Sequence, residues 1–206
     1  PLAPGLKLPK VRPPQTALSF TMTPIKTVSI LGAGQMGSGI AQAVALGGYE
    51  VRLFDVAAER SAGAQGVIGA SLARRVGRGL VEQTAADAAL GRISTVATLA
   101  EAAKSDLVIE AISEQEAAKK AVLAELTPLL RPDTLLASNT SSISITRLAS
   151  VTDRPERFIG LHFMKPAPVM KLVEIVRGIA TSAETYEIAV AFAESLGKTT
   201  TEAEDF

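Results

Sequence analysis

The sequence predicts an α/β fold on a doubly wound, mostly parallel sheet, and three observations carry that expectation. Short aliphatic or β-branched runs alternate with amphipathic segments along the chain, at 28–31, 50–54, 106–111 and 134–137. One of them, DLVIEA at 106–111, is apolar on both faces, as a parallel strand covered on both sides must be. Between the first strand and the first helix lies a glycine turn, Gly32-Ala33-Gly34-Gln35-Met36-Gly37.

The stretch from Ile25 to Asp55 organises the rest, because it reads as strand, glycine turn, helix, strand and acid in one unit. Val28, Ile30 and Leu31 make the strand. Gly32 allows a tight turn, Gly34 has no Cβ to hold a pyrophosphate away, and Gly37 lets the helix approach closely. Phosphates would rest on the free N–H groups of the helix N-terminus. Met36, Ile40 and Val44 repeat every fourth residue, and Gly47-Gly48 supplies a stop. The second strand, 50–54, runs into Asp55, about twenty residues past the turn, where a carboxylate meets a ribose 2′-hydroxyl and repels a 2′-phosphate. This favours NAD over NADP and makes Gly32, Gly34, Gln35, Met36, Gly37 and Asp55 candidate cofactor contacts.

Residues 58–79 follow as a helix weakened by Gly63, Gly66 and Gly69. Ile68, Leu72, Val76 and Leu80 form its apolar stripe, while Ser71, Arg74, Arg75 and Arg78 share another face. That face is either solvated or suited to an anionic tail such as the phosphates of coenzyme A. Strands are expected at 92–98 and 106–111, and a helix over 115–130 with Ala118, Val122, Leu126 and Leu129 inward. Pro132-Asp133 breaks it before a strand at 134–137. Ligands of such sheets bind outside the carboxyl ends of the strands. Glu110, the Ser138–Ser142 run and His162, which closes the strand at 157–161, converge on that edge.

His162 is the single histidine, and so the obvious group to take and return a proton near neutrality. By itself a lone histidine beside Phe158, Leu161 and Phe163 is more often a hydrogen-bonded core residue. Glu174 changes that, because a carboxylate inside the apolar run 171–176 is costly unless paired. The twelve-residue separation leaves room for two neighbouring strands joined through Lys165-Pro166-Ala167-Pro168. Glu174 would then fix the imidazole tautomer and stabilise the imidazolium formed when a hydroxyl proton is removed. Ser141, with Asn139 nearby, is placed to hydrogen-bond the oxygen being oxidised, or the Ser/Thr cluster simply caps a helix starting near Ser144. Leu196-Gly197-Lys198 closes a last helix, and an extended segment begins at Thr199.

Bulk properties fit one globular domain: 206 residues, 47% hydrophobic and 20% charged. Zero net charge gives a nucleic-acid partner no electrostatic footprint, and the absence of cysteine excludes disulfides and thiol chemistry. No run approaches the ~20 apolar residues of a membrane span, and no metal site is expected. Residues 1–23, with five prolines and three basic residues, are expected to be a disordered leader, a tag or upstream sequence, since the prolines prevent an amphipathic presequence helix.

Taken together, GAGQMGSGIAQ, DLVIEAISE, ASNTSSISIT, RPERFIGLHFMKPAPVMKLVEIVRG and LGKTT resemble the N-terminal, Rossmann-type NAD-binding domain of the 3-hydroxyacyl-CoA dehydrogenases, most of all the bacterial 3-hydroxybutyryl-CoA group. The resemblance covers residues 24–206. It implies cytoplasmic, NAD-dependent interconversion of (3S)-3-hydroxyacyl-CoA and 3-oxoacyl-CoA, a step of β-oxidation or butanoate metabolism. Carried over, His162 is the catalytic histidine, Glu174 its partner, and Ser141 the serine touching both substrate and nicotinamide. Glu110, Gln115, Asn139 and Lys165 join the cofactor contacts, and Ser71 and Arg78 the coenzyme A contacts. Lys165 stands where the family has asparagine, and a cation there disfavours the positively charged nicotinamide unless it turns to solvent. The family continues into a helical domain that completes the acyl-CoA cleft and the usual homodimer, so residues 24–206 are expected to bind NAD(H) and turn over poorly alone. Two other readings remain: a β-hydroxyacid dehydrogenase using a lysine base, and a non-catalytic dinucleotide-binding or structural relative.

Overall fold

The computed structural model describes residues 24–205, and the proline-rich leader expected at 1–23 lies outside them. Eight strands form one sheet in the order β3-β2-β1-β4-β5-β6-β7-β8. They are β1 (Thr27–Leu31), β2 (Glu50–Phe54), β3 (Ile93–Thr95), β4 (Leu107–Glu110), β5 (Leu135–Ser138), β6 (Phe158–Phe163), β7 (Leu172–Arg177) and β8 (Thr199–Glu204). The pairings from β3 across to β6 are parallel, β6 with β7 is antiparallel, and β7 with β8 is parallel again. The expected doubly wound, mostly parallel sheet is therefore the architecture found.

Helices cover both faces. On one side lie α1 (Gln35–Leu46), α2 (Ala58–Val76), α3 (Gln83–Gly91) and α7 (Ala183–Ser195), packed on Val28, Ile30, Val51, Leu53 and Ile109. On the other lie α4 (Leu99–Ala102), α5 (Glu116–Leu126) and α6 (Ile145–Ala149), packed on Leu31, Val108, Leu136 and Phe158. Alternate residues of β4 serve opposite layers, Leu107 and Ile109 one and Val108 the other, which is why DLVIEA carries no polar face.

Several details depart from the sequence reading. The strand expected over 92–98 shortens to β3, flanked by two unpredicted helices. α3 is alanine-rich with a weak apolar period, and α4 is four residues long but closed by a capping box between Thr98 and Glu101. α2 ends at Val76, and Gly79 turns the chain with φ +66°, so Leu80 is 64% exposed instead of completing the apolar stripe. The inward face of α5 is Lys119, Leu123 and Leu126; Ala118 and Val122 face a crevice, and Leu129 sits exposed in a following 3-10 turn. A lysine on the buried face defeated the apolar count, because its charge is neutralised inside the protein.

At the amino ends of the strands, Asp106 ties three segments together. It accepts from the Lys26 and Thr27 N–H groups at 2.9 Å each, from the Thr27 hydroxyl at 2.9 Å, and from Arg131 Nη2 at 2.6 Å. Burial pushes its carboxyl upward, but the Lys26 N–H, Arg131 and Thr27 outweigh this and hold it at about 2. A folded pKa below the unfolded 3.8 gives stability that is present above pH 3.8 and lost as pH falls toward 2. Asp106→Asn should therefore lower unfolding free energy at pH 7 by on the order of 2 kcal/mol. Denaturant titrations at several pH values should show parent and variant converging below pH 4; a gap that stays constant down to pH 2.5 would contradict the assignment.

Candidate active site and dinucleotide crevice

The glycine turn shows three distinct constraints. Gly32 has φ +104°, and a Cβ there would lie 2.6 Å from the Ala111 carbonyl oxygen. A Cβ on Gly37 would fall 1.7 Å from the Gly32 oxygen, so helix and turn touch only because that atom is missing. At Gly34 nothing lies within 4 Å of the added carbon. That open space faces the start of α1, which has neither a side-chain cap nor an acid in its first turn. Uncapped N–H groups beside vacant space are what an anionic diphosphate needs.

From this turn a crevice of about 990 Å³ runs along the carboxyl ends of β1, β2 and β4 to α5. Gly32, Gly34, Gln35, Met36 and Asp55 all line it, and Gly37 lies buried behind. Asp55 is held rigidly, accepting from Ala33 N at 2.8 Å and Ala57 N at 2.9 Å. Each of its oxygens retains a further acceptor site, so the carboxylate can still take a ribose hydroxyl.

His162 and Glu174 are direct cross-strand partners in the β6/β7 pair. Their side chains meet at 2.7 Å, His162 Nδ1 to Glu174 Oε2. A carboxylate only accepts, so Nδ1–H donates and the lone pair of the neutral ring sits on Nε2. Glu174 is about a third exposed rather than sealed in the core, because β7 lies near the sheet edge. The pair shares a cavity of about 260 Å³ with Thr140, Ser141, Ser142 and Asp205. Asp205 accepts from Ile145 N at 2.7 Å, Thr146 N at 2.8 Å and Ser144 Oγ at 3.0 Å, closing the cavity floor at the start of α6. Ser144 does cap α6, through Arg147 N, yet Ser141 stays outside that cap.

Other expected contacts are not brought together. Glu110 is fully buried, one oxygen taken by Lys119 and Ile112 N, the other by Ser138 Oγ, so its side chain faces neither space. The exposed acid of this region is Glu114, one turn of loop further on, which sequence reasoning passed over. It gathers the Thr140 hydroxyl and the Ser141 N–H, and pairs with Lys119 at 3.3 Å. Burial works upward on its carboxyl, while Thr140, Ser141 and Lys119 bring it down to about 2. Its position just past the carboxyl end of β4 was the available signal. Asn139 accepts from Phe163 N at 2.8 Å and so ties β6 to the loop after β5. Gln115 is exposed and lines neither space. Lys165 is exposed. Ser71 and Arg78 lie outside both spaces, and they do not share a helical face, because α2 ends at Val76 and Arg78 falls in the following turn; Arg75, on the helix, donates to the Pro168 carbonyl at 2.8 Å.

Comparison with known proteins agrees with this geometry. Residues 27–206 match the family model for the 3-hydroxyacyl-CoA dehydrogenase NAD-binding domain. A curated 3-hydroxybutyryl-CoA dehydrogenase of Bradyrhizobium diazoefficiens is 50% identical over 182 residues, which are 88% of this chain and 62% of that protein. The crystal structure of 3-hydroxybutyryl-CoA dehydrogenase from Escherichia coli superposes with a TM-score of 0.86 at 44% identity, covering 88% of this chain and 39% of that one. For the (S)-3-hydroxybutyryl-CoA dehydrogenase of Ralstonia eutropha the TM-score is also 0.86, at 38% identity and 89% and 65% coverage. The chain thus spans about three-fifths of the length of the first of these relatives.

The glycines allow folding and binding to be separated. Gly34→Ala should leave thermal stability within about 0.5 kcal/mol of the parent, since its methyl meets nothing, yet weaken NADH binding at least ~10-fold by fluorescence titration. Gly37→Ala should destabilise the fold by about 3 kcal/mol or more. Equal NADH affinity in Gly34→Ala and the parent would mean that the diphosphate lies elsewhere.

Proposed function

The chain belongs to the 3-hydroxyacyl-CoA dehydrogenase family through its NAD-binding domain, and from that premise we propose that it takes part in NAD-dependent interconversion of (3S)-3-hydroxyacyl-CoA, with 3-hydroxybutyryl-CoA as the favoured substrate, and 3-oxoacyl-CoA. The His162–Glu174 pair carries the reading. With Nδ1–H committed to Glu174, Nε2 is the free base that takes the hydroxyl proton of the substrate. Glu174 then faces an imidazolium and stabilises it at 2.7 Å. Ser141 stands in the same cavity, where its hydroxyl donates to the oxygen undergoing oxidation.

The crevice fits the cofactor on this chain's own terms: open space at Gly34, an uncapped helix start and an acceptor at Asp55. NAD bound there supplies the hydride acceptor. Gly32, Gly34, Gln35, Met36 and Asp55 would hold it, with Ser141 toward its reactive end; Asn139 and Lys165 at that end, and Ser71 and Arg78 for coenzyme A, follow from the family resemblance alone. Lys165 is exposed, so its charge keeps access to water, which weakens the case for a purely non-catalytic role. A lysine-base dehydrogenase fits less well, because Lys119, which adjoins the Ser141 loop through Glu114, is buried and paired with both Glu110 and Glu114. A homodimer and a cytoplasmic setting belong to the same reading and rest on the family alone.

Single-turnover oxidation of NADH by acetoacetyl-CoA, with protein in excess, tests the assignment. His162→Gln should slow it by at least ~10²-fold, and Glu174→Gln by a smaller factor, with NADH affinity nearly unchanged in both. Parent-like rates in His162→Gln would remove the imidazole from the reaction.

A further inference from the structure

The dinucleotide crevice is lined by three charged side chains, Asp55, Arg60 and Glu125. Arg60 stands five residues past Asp55, in the first turn of α2. Local helix physics gives no reason for a cation there. The positive end of the helix dipole lies at that turn and favours acids, and α2 otherwise obeys the rule, with Glu59 in its first turn and Arg74 and Arg75 in its last. Nor is the guanidinium committed elsewhere: Arg60 is exposed and, among the described residues, forms no ion pair. Its neighbour Glu59 does not line the crevice, and Glu125 belongs to α5 in the opposite helical layer.

Asp55 and Arg60 ask opposite things of an adenosine ribose. A carboxylate at the end of β2 accepts from the 2′-hydroxyl and repels a 2′-phosphate, whereas a nearby arginine accommodates that phosphate through charge-assisted, bidentate hydrogen bonds. The crevice therefore holds the excluding and the accepting group together. Asp55 prevails because the Ala33 and Ala57 N–H groups fix both its oxygens, while Arg60 reaches in from an exposed position. We propose that Arg60 makes this crevice a latent site for a 2′-phosphorylated dinucleotide: Asp55 alone enforces the preference for NAD(H), and with its charge removed Arg60 takes the 2′-phosphate of NADP(H). The statement rests on the cofactor site proposed above. An arginine that was only a solvated surface charge would not distinguish the two dinucleotides.

The 206-residue chain is titrated with NADH and with NADPH by fluorescence, as the parent, Asp55→Asn and Asp55→Ser, each with and without Arg60→Leu, and the thermal melting of every variant is recorded. Asp55→Asn keeps one acceptor for the Ala33 and Ala57 N–H groups, and Asp55→Ser removes the carboxyl outright. The parent should bind NADH at least ~30-fold more tightly than NADPH. In both Asp55 variants that preference should shrink at least ~10-fold, through a gain in NADPH affinity and not only a loss of NADH affinity. Adding Arg60→Leu should cancel the gain while moving NADH affinity less than ~3-fold. On the parent background Arg60→Leu should already cut the residual NADPH affinity at least ~3-fold, a comparison that holds even where an Asp55 variant fails to fold. Equal NADPH affinity with and without Arg60, in whichever backgrounds fold, would overturn the proposal. So would folded Asp55 variants that gain no NADPH affinity. A parent that binds neither dinucleotide would remove the cofactor reading itself, an outcome that no Arg60 result can mimic.

Discussion

The ion pair between Lys119 and Glu110 is the interaction on which the active edge of this sheet depends. Both side chains are essentially without solvent contact, 1% and 0% exposed, at 2.7 Å. Neither charge is tolerable there alone, and removing one partner of such a pair typically costs about 3–5 kcal/mol. The arrangement is complete because Glu110 also accepts from Ile112 N and Ser138 Oγ. Glu110 sits opposite Ser138 in the β4/β5 register, so the pair fastens the two strand ends between which the crevice and the Ser141 loop diverge.

A second constraint is topological. Every pairing from β3 to β6 is parallel, and a parallel neighbour to β6 would require a long crossover. β7 instead returns antiparallel, and the register sets Glu174 directly across from His162. Cross-strand partners project to one face, so the reversal of a single strand brings an acceptor to the imidazole without any help from a loop. The sheet then resumes parallel order through α7 and β8, and Asp205, just past β8, closes the cavity on the far side.

The sequence reading succeeded where one local signal has one physical meaning. G-x-G-x-x-G, Asp55, the apolar DLVIEA run and the spacing of His162 to Glu174 each translate into a single geometry, and the doubly wound, mostly parallel sheet followed from the alternation of strand and helix. It failed where burial and charge combine. Lys119 counts as polar in any periodicity, so the inward face of α5 was set one residue off, and its partner Glu110 looked like a free carboxylate at a strand end when it is internal. Glu114 was missed because its position just past β4 was the one local signal, and its hydrogen bonds go to the Thr140–Ser142 loop, 26 residues away. Ser71 and Arg78 do not share the expected helical face, because α2 ends at Val76 and Arg78 lies in the turn that follows.

The short β6/β7 return also affects how the molecule comes together. The His162–Glu174 pair is separated by only twelve residues, whereas the contact of Thr27 in β1 with Asp106 at the start of β4 closes about eighty. Loop closure over the longer span costs roughly 2 kcal/mol more, from the logarithmic dependence on length. The β6/β7 hairpin therefore closes at the lower entropic cost, so the His162–Glu174 contact asks less of the chain than the tie between β1 and β4.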